Sequence, residues 1–346
     1  MMTEASDGSV FVTRRVPEPG LERLRAAGAR VVVGQEDPER GLERAAMLDG
    51  IRGADVLLSL LTEPVDAPVL DANPRLRGVA NYAVGYNNVD VAAATARGIP
   101  VSNTPGVLTE TTADLTWALL LAAARRIPEA HAYMSTGRYR IWGPSLLLGA
   151  DVGPGADGRP RVLGILGFGR IGRAVARRAR GFDMEVLAHD PYARDAVEAA
   201  DGVAWAERHE LIERSDFLTL HALLTDETRH MIGEAELRAM KPTAYLVNVA
   251  RGSLVDEGAL VRALIGGWIA GAALDVYEEE PAMAPGLAAC PNAVLVPHVG
   301  SATVETRACM ATMAADNALA HLRGERAPNC VNPEVYRTPA WRERRA

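Results

Sequence analysis

The sequence predicts an α/β protein made of two βα domains, the second built on a doubly wound parallel sheet. Three observations predict it. Short apolar runs alternate with amphipathic stretches along most of the chain. The length of 346 residues suits two domains, each with its own core. Val162–Leu166, an uncharged apolar run, leads directly into Gly167-Phe168-Gly169-Arg170-Ile171-Gly172, a glycine turn that opens a helix.

The first hundred residues carry one βα series. Strands are expected at Val10–Thr13, Arg30–Val33, Val56–Leu60, Leu76–Ala80 and Pro100–Asn103. Helices are expected at Gly20–Ala27, Leu42–Arg52, Val65–Leu70 and Val89–Arg97, with Gly28, Gly53 and Gly98 where helices stop. This series has no phosphate-binding glycine pattern of its own. The stretch Asn81–Asn88 lies between a strand and a helix, where backbone N–H groups can cradle an anion, although a plain βα loop reads as well. Asn103-Thr104-Pro105-Gly106 is turn chemistry and reads as a hinge between domains.

Leu108–Arg126 is a helix apolar on most faces, hence buried between other elements. Pro128 is expected to end the regular pattern, and His131–Gly158 reads as a long irregular excursion or linker. Its last part, Asp151–Gly158, reads as a loose surface loop.

The second series starts at Val162. The helix opened by the glycine turn runs through Arg180, with Gly181 as its stop, and Glu185–His189 is the next strand. Helices follow near Ala193–Ala200 and at Glu207–Arg214, Glu234–Met240 and Asp256–Gly266. Strands follow near Val203 and at Phe217–Leu220, Ala244–Asn248, Ala270–Leu274 and Ala293–Val296. One long helix covers Thr303–Leu322, with Val304, Ala308, Ala311, Ala315, Ala318 and Leu322 near helical spacing and Gly324 as the stop. The tail at Cys330–Pro333 then returns toward the first domain.

The glycine turn has a physical reading. Gly167 permits a turn too tight for a Cβ, Gly169 lets a pyrophosphate approach the backbone, and Gly172 lets helix and strand pack closely. The helix N-terminus offers N–H groups and a positive dipole end to phosphates. Asp190 ends the second strand, eighteen residues after Gly172, where an acid can accept from the adenosine-ribose hydroxyls. An anion there repels a 2′-phosphate, and Pro191 and Tyr192 follow it, so NADH is expected over NADPH. The nearest cation is Arg194.

Composition narrows the classes of function. Apolar content of 48% and charged content of 23% are ordinary for a globular protein, and a net charge of −7 argues against nucleic acid as a partner. Met1–Ser9 lacks the apolar core of a signal peptide and reads as a loose terminus. The longest apolar run, Trp117–Ala124, is too short to span a membrane. Cys290, Cys309 and Cys330 have no metal-ligand spacing and read as reduced thiols in a cytoplasmic protein, with no metal expected.

Asp190, His221, Arg251, Asp275 and His298 all fall just past expected strand C-termini, the edge at which open α/β sheets bind ligands. Three residues carry a possible chemistry. Reduction of a ketone beside a carboxylate needs a cation for the carboxylate, which Arg251 supplies as a planar fork. It needs a proton donor, the natural role of His298. It needs an anion to orient that histidine and favour its charged form, and Glu280 is available. Singly, Arg251 reads as well as a cap, Glu280 as one of three exposed acids and His298 as a core histidine.

Together these stretches resemble the D-isomer-specific 2-hydroxyacid dehydrogenase family over nearly the whole chain. The matching segments are Tyr82–Tyr86, Asn103–Pro105, Gly167–Gly172, Asn248–Gly252, Ala273–Val276 with Glu280-Pro281, and Pro297-His298. Ala80–Tyr86 and Gly267–Gly271 look most like the glyoxylate and hydroxypyruvate reductases of that family. The resemblance implies an Arg251–Glu280–His298 triad, with substrate carboxylate held by the backbone at Val84 and Gly85 and by Arg251. It implies cofactor contacts at Gly167, Phe168, Gly169, Arg170, Ile171, Gly172, Asp190, His221, Ala250 and Asp275, the last near the nicotinamide carboxamide. It further implies a Rossmann-type dinucleotide domain, residues 104–297, inserted into a smaller flavodoxin-like substrate domain formed by 1–103 and 298–346, with both crossings acting as hinges. A homodimer through the dinucleotide domain is implied, the 127–150 excursion embracing the partner.

Three departures stand out. His221-Ala-Leu223 replaces the family's usual His-x-Pro, Asn87 replaces an Asp, and the connection before Val162 is long. Three functions follow as expectations. The first is NADH-dependent reduction of glyoxylate or hydroxypyruvate. The others are a dehydrogenase for D-lactate or D-3-phosphoglycerate, and a non-enzymatic dinucleotide-sensing protein on the same scaffold.

Overall fold

Two separate sheets, each wholly parallel, carry the chain. The structure is a computed structural model and describes residues 8–345. Strands β1 (Ser9–Val12), β2 (Arg30–Val33), β3 (Val56–Ser59), β4 (Gly78–Asn81) and β5 (Val101–Ser102) form the first sheet, in the order β2-β1-β3-β4-β5. Strands β6 (Val162–Leu166), β7 (Glu185–His189), β8 (Val203–Trp205), β9 (Phe217–Leu220), β10 (Tyr245–Asn248), β11 (Gly271–Leu274) and β12 (Ala293–Leu295) form the second, in the order β12-β11-β10-β9-β6-β7-β8. The first order is that of flavodoxin-like sheets and the second that of Rossmann sheets. The chain divides into two units: residues up to Leu108 with those from Ala302 onward, and Thr109–Ser301.

The inner strands of both sheets bury both faces, as parallel strands do, while the edge strand β2 stays partly exposed. Along β6, Leu163 and Ile165 enter one apolar cluster while Val162 and Leu166 enter the opposite one. Gly164 has a packing reason to be glycine, because a Cβ there would stand 2.0 Å from the Ser215 hydroxyl oxygen. The helix Thr109–Ala124 lies in the second unit against β10, β11 and the helix Arg170–Ala179. Its Trp117 stacks on Phe182 at 4.5 Å and donates to the Val175 carbonyl at 3.2 Å. The long helix Val304–Leu322 packs in the first unit against the helix Glu18–Ala26 and strands β3 and β4, and a short helix, Pro339–Arg345, follows it near the end of the chain. The tail adds an antiparallel bridge at Cys330 beside β5, with the Val331 N–H donating to the Val101 carbonyl at 2.8 Å.

Several local expectations are corrected. Pro128 does not end regular structure. Arg126 takes the left-handed conformation (φ 53°) and breaks the helix, and Pro128 opens a new one, Ile127–Ser135, where its missing N–H costs nothing. Gly181 does not stop its helix either. A 3₁₀ turn carries the chain through Arg180–Phe182, and Asp183 is the left-handed residue (φ 52°). The Asp151–Gly158 segment is an irregular and mostly exposed surface loop, with Val152 alone buried in the apolar cluster around Trp117. Val304 is 89% exposed despite its place in the helical series, since it sits on the solvent side of the first turn. Of Met1–Ser9, residues 1–7 lie outside the described residues, and Ser9 is the buried first residue of β1.

Cys290, Cys309 and Cys330 are all free thiols. No helix among the described residues is long and apolar enough to cross a membrane.

Candidate active site

The C-terminal edge of the second sheet collects Asp190, His221, Arg251, Asp275 and His298, each one to three residues past β7, β9, β10, β11 and β12 respectively. The chain order reverses between β6 and β9, and the glycine turn follows β6 at that switch point. Gly167 has φ +91°, and a Cβ there would stand 2.5 Å from the Ala222 nitrogen. A Cβ on Gly172 would stand 2.3 Å from the Gly167 carbonyl oxygen. Gly169 differs, because its Cβ direction meets nothing within 4 Å. It is also the N-cap of Arg170–Ala179 and has no side chain to cap it. The turn therefore presents open space in front of helix N–H groups that no cap side chain has taken, which fits a pyrophosphate.

Not every residue of this turn can offer its side chain. Phe168 is 1% exposed and belongs to the core, so only its backbone faces the turn. Its N–H donates to Asp190 Oδ2 at 2.8 Å, while the Tyr192 N–H donates to Asp190 Oδ1 at 3.0 Å. Ile171 is half-buried, and Arg170 is exposed. Arg194 pairs with Glu198 at 2.8 Å and lies over the Trp205 ring at 5.0 Å. The His221 ring meets the Thr219 hydroxyl at 3.0 Å, and burial pushes its pKa down to about 3, so it is neutral.

Arg251, Glu280 and His298 are brought together by close loop packing. A Cβ on Gly252 would fall 1.8 Å from the Tyr277 carbonyl carbon, so glycine is required for the β10 turn to lie against the loop that carries Glu280. His298 Nδ1 and Glu280 Oε2 are 2.8 Å apart, and the Tyr277 N–H donates to Glu280 Oε1 at 3.1 Å. Burial would raise the Glu280 carboxyl. The hydrogen bond and charge of His298, the Tyr277 N–H and the Arg251 charge outweigh it and hold the carboxyl below its ordinary value. Burial lowers the Arg251 guanidinium, and Glu280 opposes that. With Nδ1 donating to the carboxylate, Nε2 is left as the proton-carrying position of the ring. His298 itself adopts φ 53°, a conformation uncommon for a non-glycine residue and one that must be held by its surroundings.

Asp275 supplies much of that hold. Its carbonyl accepts from the His298 N–H at 2.9 Å, and its carboxylate accepts from the N–H groups of Val299 and Gly300 at 2.6 and 2.8 Å. The residue is 1% exposed, and burial raises its carboxyl above the ordinary value, with the two N–H groups and His298 opposing.

Sequence reasoning missed two supports. Asn248 closes the arginine turn, its Nδ2 donating to the Arg251 carbonyl at 2.8 Å and its Oδ1 accepting from the Ala250 N–H at 3.0 Å. The buried Glu257 carboxylate accepts from the N–H groups of Glu278 and Ala284 and clamps the Glu280 loop. Glu257 follows an Asp N-cap and reads in sequence as a first-turn acid, so nothing local betrays its long-range contacts.

Val84 and Gly85 lie in the first unit, in the loop after β4. Neither backbone N–H has an acceptor among the described residues. No group of His, Cys, Asp and Glu among the described residues is arranged to hold a metal ion.

A glycine turn at the switch point, with an acid at the next strand end, defines a nicotinamide-dinucleotide oxidoreductase when comparison with known proteins is added. Residues 117–300 match the family model for the NAD-binding domain of D-isomer specific 2-hydroxyacid dehydrogenases. The chain is 50% identical over 330 residues to a glyoxylate reductase of Korarchaeum cryptofilum, covering 95% of this chain and 97% of that one. It is 48% identical over 332 residues to a glyoxylate reductase of Thermococcus gammatolerans, at the same coverage of 95% and 97%. Among solved structures, the TT0316 protein of Thermus thermophilus superimposes with a TM-score of 0.85 at 44% identity, over 93% of this chain and 99% of that one. An NADPH-dependent glyoxylate/hydroxypyruvate reductase of Sinorhizobium meliloti, solved with NADP and malonate, gives 0.78 at 34% identity over 94% and 97%. The chain belongs to the D-isomer specific 2-hydroxyacid dehydrogenase family.

Proposed function

We propose that the chain reduces glyoxylate or hydroxypyruvate to the 2-hydroxy acid and prefers NADH to NADPH. The observation that carries this is the His298–Glu280 pair, 2.8 Å apart, at the sheet edge that also holds Arg251 and the glycine turn. Glyoxylate reduction is what the similar proteins of Korarchaeum and Thermococcus are named for.

The open face of Gly169 and the uncapped helix start fit the pyrophosphate of a dinucleotide, with Asp190 toward the ribose and His221, Ala250 and Asp275 along the nicotinamide side. When bound, the nicotinamide supplies or accepts the hydride. Arg251 holds the substrate carboxylate, its delocalised charge suited to a planar anion. The Val84 and Gly85 N–H groups also bind that carboxylate. His298 carries the proton on Nε2 and delivers it to the carbonyl oxygen, and Glu280 fixes the ring through Nδ1. Oxidation in the reverse direction uses the same histidine as base.

The anion at Asp190 and the engagement of Arg194 by Glu198 and Trp205 support the choice of NADH. A homodimer is proposed on a separate observation. Ile141, Trp142 and Leu148 are 79%, 73% and 65% exposed on one excursion of the second unit, more apolar surface than such a segment leaves uncovered. Light scattering should then give about twice the chain mass of 36.9 kDa.

A panel of 2-oxo acids assayed with both reduced cofactors tests the reading. Glyoxylate and hydroxypyruvate should give the highest kcat/KM, and NADH should exceed NADPH with each. Absence of cofactor oxidation with every acid of the panel would sink it.

A further inference from the structure

The loop after β4 is gripped by its carbonyl groups, one after another. The Ala83 carbonyl accepts from the Thr104 N–H at 2.9 Å, the Val84 carbonyl from Asn103 Nδ2 at 2.7 Å and the Gly85 carbonyl from Asn81 Nδ2 at 2.9 Å. In a planar trans peptide the carbonyl of one residue and the N–H of the next point in opposite directions. Drawing three successive carbonyls into the protein therefore turns the N–H groups of Val84, Gly85 and Tyr86 outward. None of the three has an acceptor among the described residues. Three adjacent N–H groups left without an internal acceptor are the material of an anion cradle.

The Asn81 amide cannot turn round, and Asn103 is held in place. Asn81 Oδ1 accepts from the Ser59 hydroxyl at 3.1 Å and from Asn88 Nδ2 at 3.2 Å, which leaves its Nδ2 for Gly85. Asn103 is fixed through its backbone: its N–H donates to the Asn329 carbonyl at 3.1 Å, and its carbonyl accepts from Asn317 Nδ2 at 2.9 Å. Asn81, Asn103 and Asn317 are 0%, 8% and 1% exposed, so three buried amides are spent on one loop. Burying amides is costly unless each donor and acceptor is matched, and here Asn81 and Asn103 are matched to the loop carbonyls and Asn317 to the Asn103 carbonyl.

We infer that Asn81 and Asn103 are positioning residues for the substrate carboxylate. They touch no reacting atom and act by aiming the backbone N–H groups of Val84, Gly85 and Tyr86. The inference rests on the proposed reduction of a 2-oxo acid. A carboxylate is bound alike in the ground state and the transition state, so loss of its cradle should appear in KM and spare kcat.

Asn103→Ala should raise KM for the 2-oxo acid by roughly 10- to 100-fold, the worth of a charge-assisted hydrogen bond or two. The values of kcat and of KM for the reduced cofactor should stay within about threefold. Asn81→Ala should act in the same direction. Asn103→Ser, milder in a buried place, should fall between Asn103→Ala and wild type and serves if the alanine variant does not fold. A folded variant with lower thermal stability and an unchanged KM for the acid would overturn the inference and leave the amides as loop struts. Wild-type enzyme that turns over no 2-oxo acid would instead overturn the reaction on which it rests, so the two failures are separate.

Discussion

The two sheets answer the same topological problem with different chemistry. Each is parallel, but the strand ends of the second gather ionisable side chains into one cluster, whereas the loop after β4 of the first is built on amides and backbone. Past the strands of the second sheet stand Asp190, Arg251, Asp275 and His298, with Glu280 paired to His298 at 2.8 Å. Past β4 of the first sheet, Asn81 and Asn103 donate to the Gly85 and Val84 carbonyls. The difference teaches where to expect pH dependence and large rate effects. A loop working through peptide N–H groups has no titrating group of its own, and side-chain changes reach it only through its struts. A loop working through His, Glu and Arg exposes its function to single substitutions.

The largest expected effect follows from that contrast. His298→Ala should lower kcat by roughly 10²–10⁴-fold, the usual contribution of a positioned acid. Binding of the reduced cofactor, followed by its fluorescence, should change little, because the imidazole is no part of the glycine turn. A kcat within about tenfold of wild type would remove His298 from proton transfer and would erase the asymmetry between the sheets.

Much of this is legible in the sequence, for reasons that differ by element. β6, β7 and β9 can be read to the residue because fully buried parallel strands are short apolar runs bounded by turn residues. The sheet-edge clustering of Asp190, His221, Arg251, Asp275 and His298 follows from reading the strand ends alone. What stays hidden is long-range. Pro128 punctuates a chain in two opposite ways, and only the left-handed Arg126 shows that here it starts a helix. Glu257 clamps a loop twenty-one residues away, and Asn81 grips a carbonyl through an amide that sequence shows only as polar. The positive φ of His298 is accompanied by bonds to Asp275, twenty-three residues earlier, which the local sequence does not announce.

A smaller effect concerns what the units share. Each holds a neutral histidine against a hydroxyl: the buried His321 against Ser102 at 3.0 Å in the first, and the half-buried His221 against Thr219 at 3.0 Å in the second. Burial lowers their pKa values from 6.5 to about 4 and about 3. The unfolded chain therefore takes up protons that the folded chain refuses. The stability involved is fully present above about pH 6.5 and is lost as pH falls from there toward the folded values, by up to about 1.4 kcal/mol per pH unit for each group. Denaturation of the cofactor-free protein should show it. Between about pH 8 and pH 5, His321→Gln should lose about 2 kcal/mol less stability than wild type. Parallel pH curves for variant and wild type would mean that His321 takes up its proton in the fold as readily as in the unfolded chain, and the likeness between the units would go.

The smallest effect tests whether Asp190 selects the cofactor or only shapes the turn. Its two oxygens already accept from the Phe168 and Tyr192 N–H groups at 2.8 and 3.0 Å, so a capping role exists whatever else it does. An ionised carboxylate has about four acceptor positions, which leaves room for a ribose hydroxyl. A 2′-phosphate would meet the same charge as repulsion, and the nearby Arg194 is engaged with Glu198 and Trp205. Family membership does not decide the matter, since the Sinorhizobium relative is NADPH-dependent. Asp190→Ala removes both backbone bonds for either cofactor, so a general loss of activity says nothing. The ratio of kcat/KM for NADH to that for NADPH cancels the shared loss and keeps only the 2′ contribution. That ratio should fall by about tenfold, one lost hydrogen bond plus relieved repulsion, and the change should lie in KM because the 2′ position is remote from the chemistry. An unchanged ratio would make Asp190 a turn cap alone. A wild-type ratio already favouring NADPH would place a cation at the ribose, and Arg194 would have to leave Glu198 to supply it.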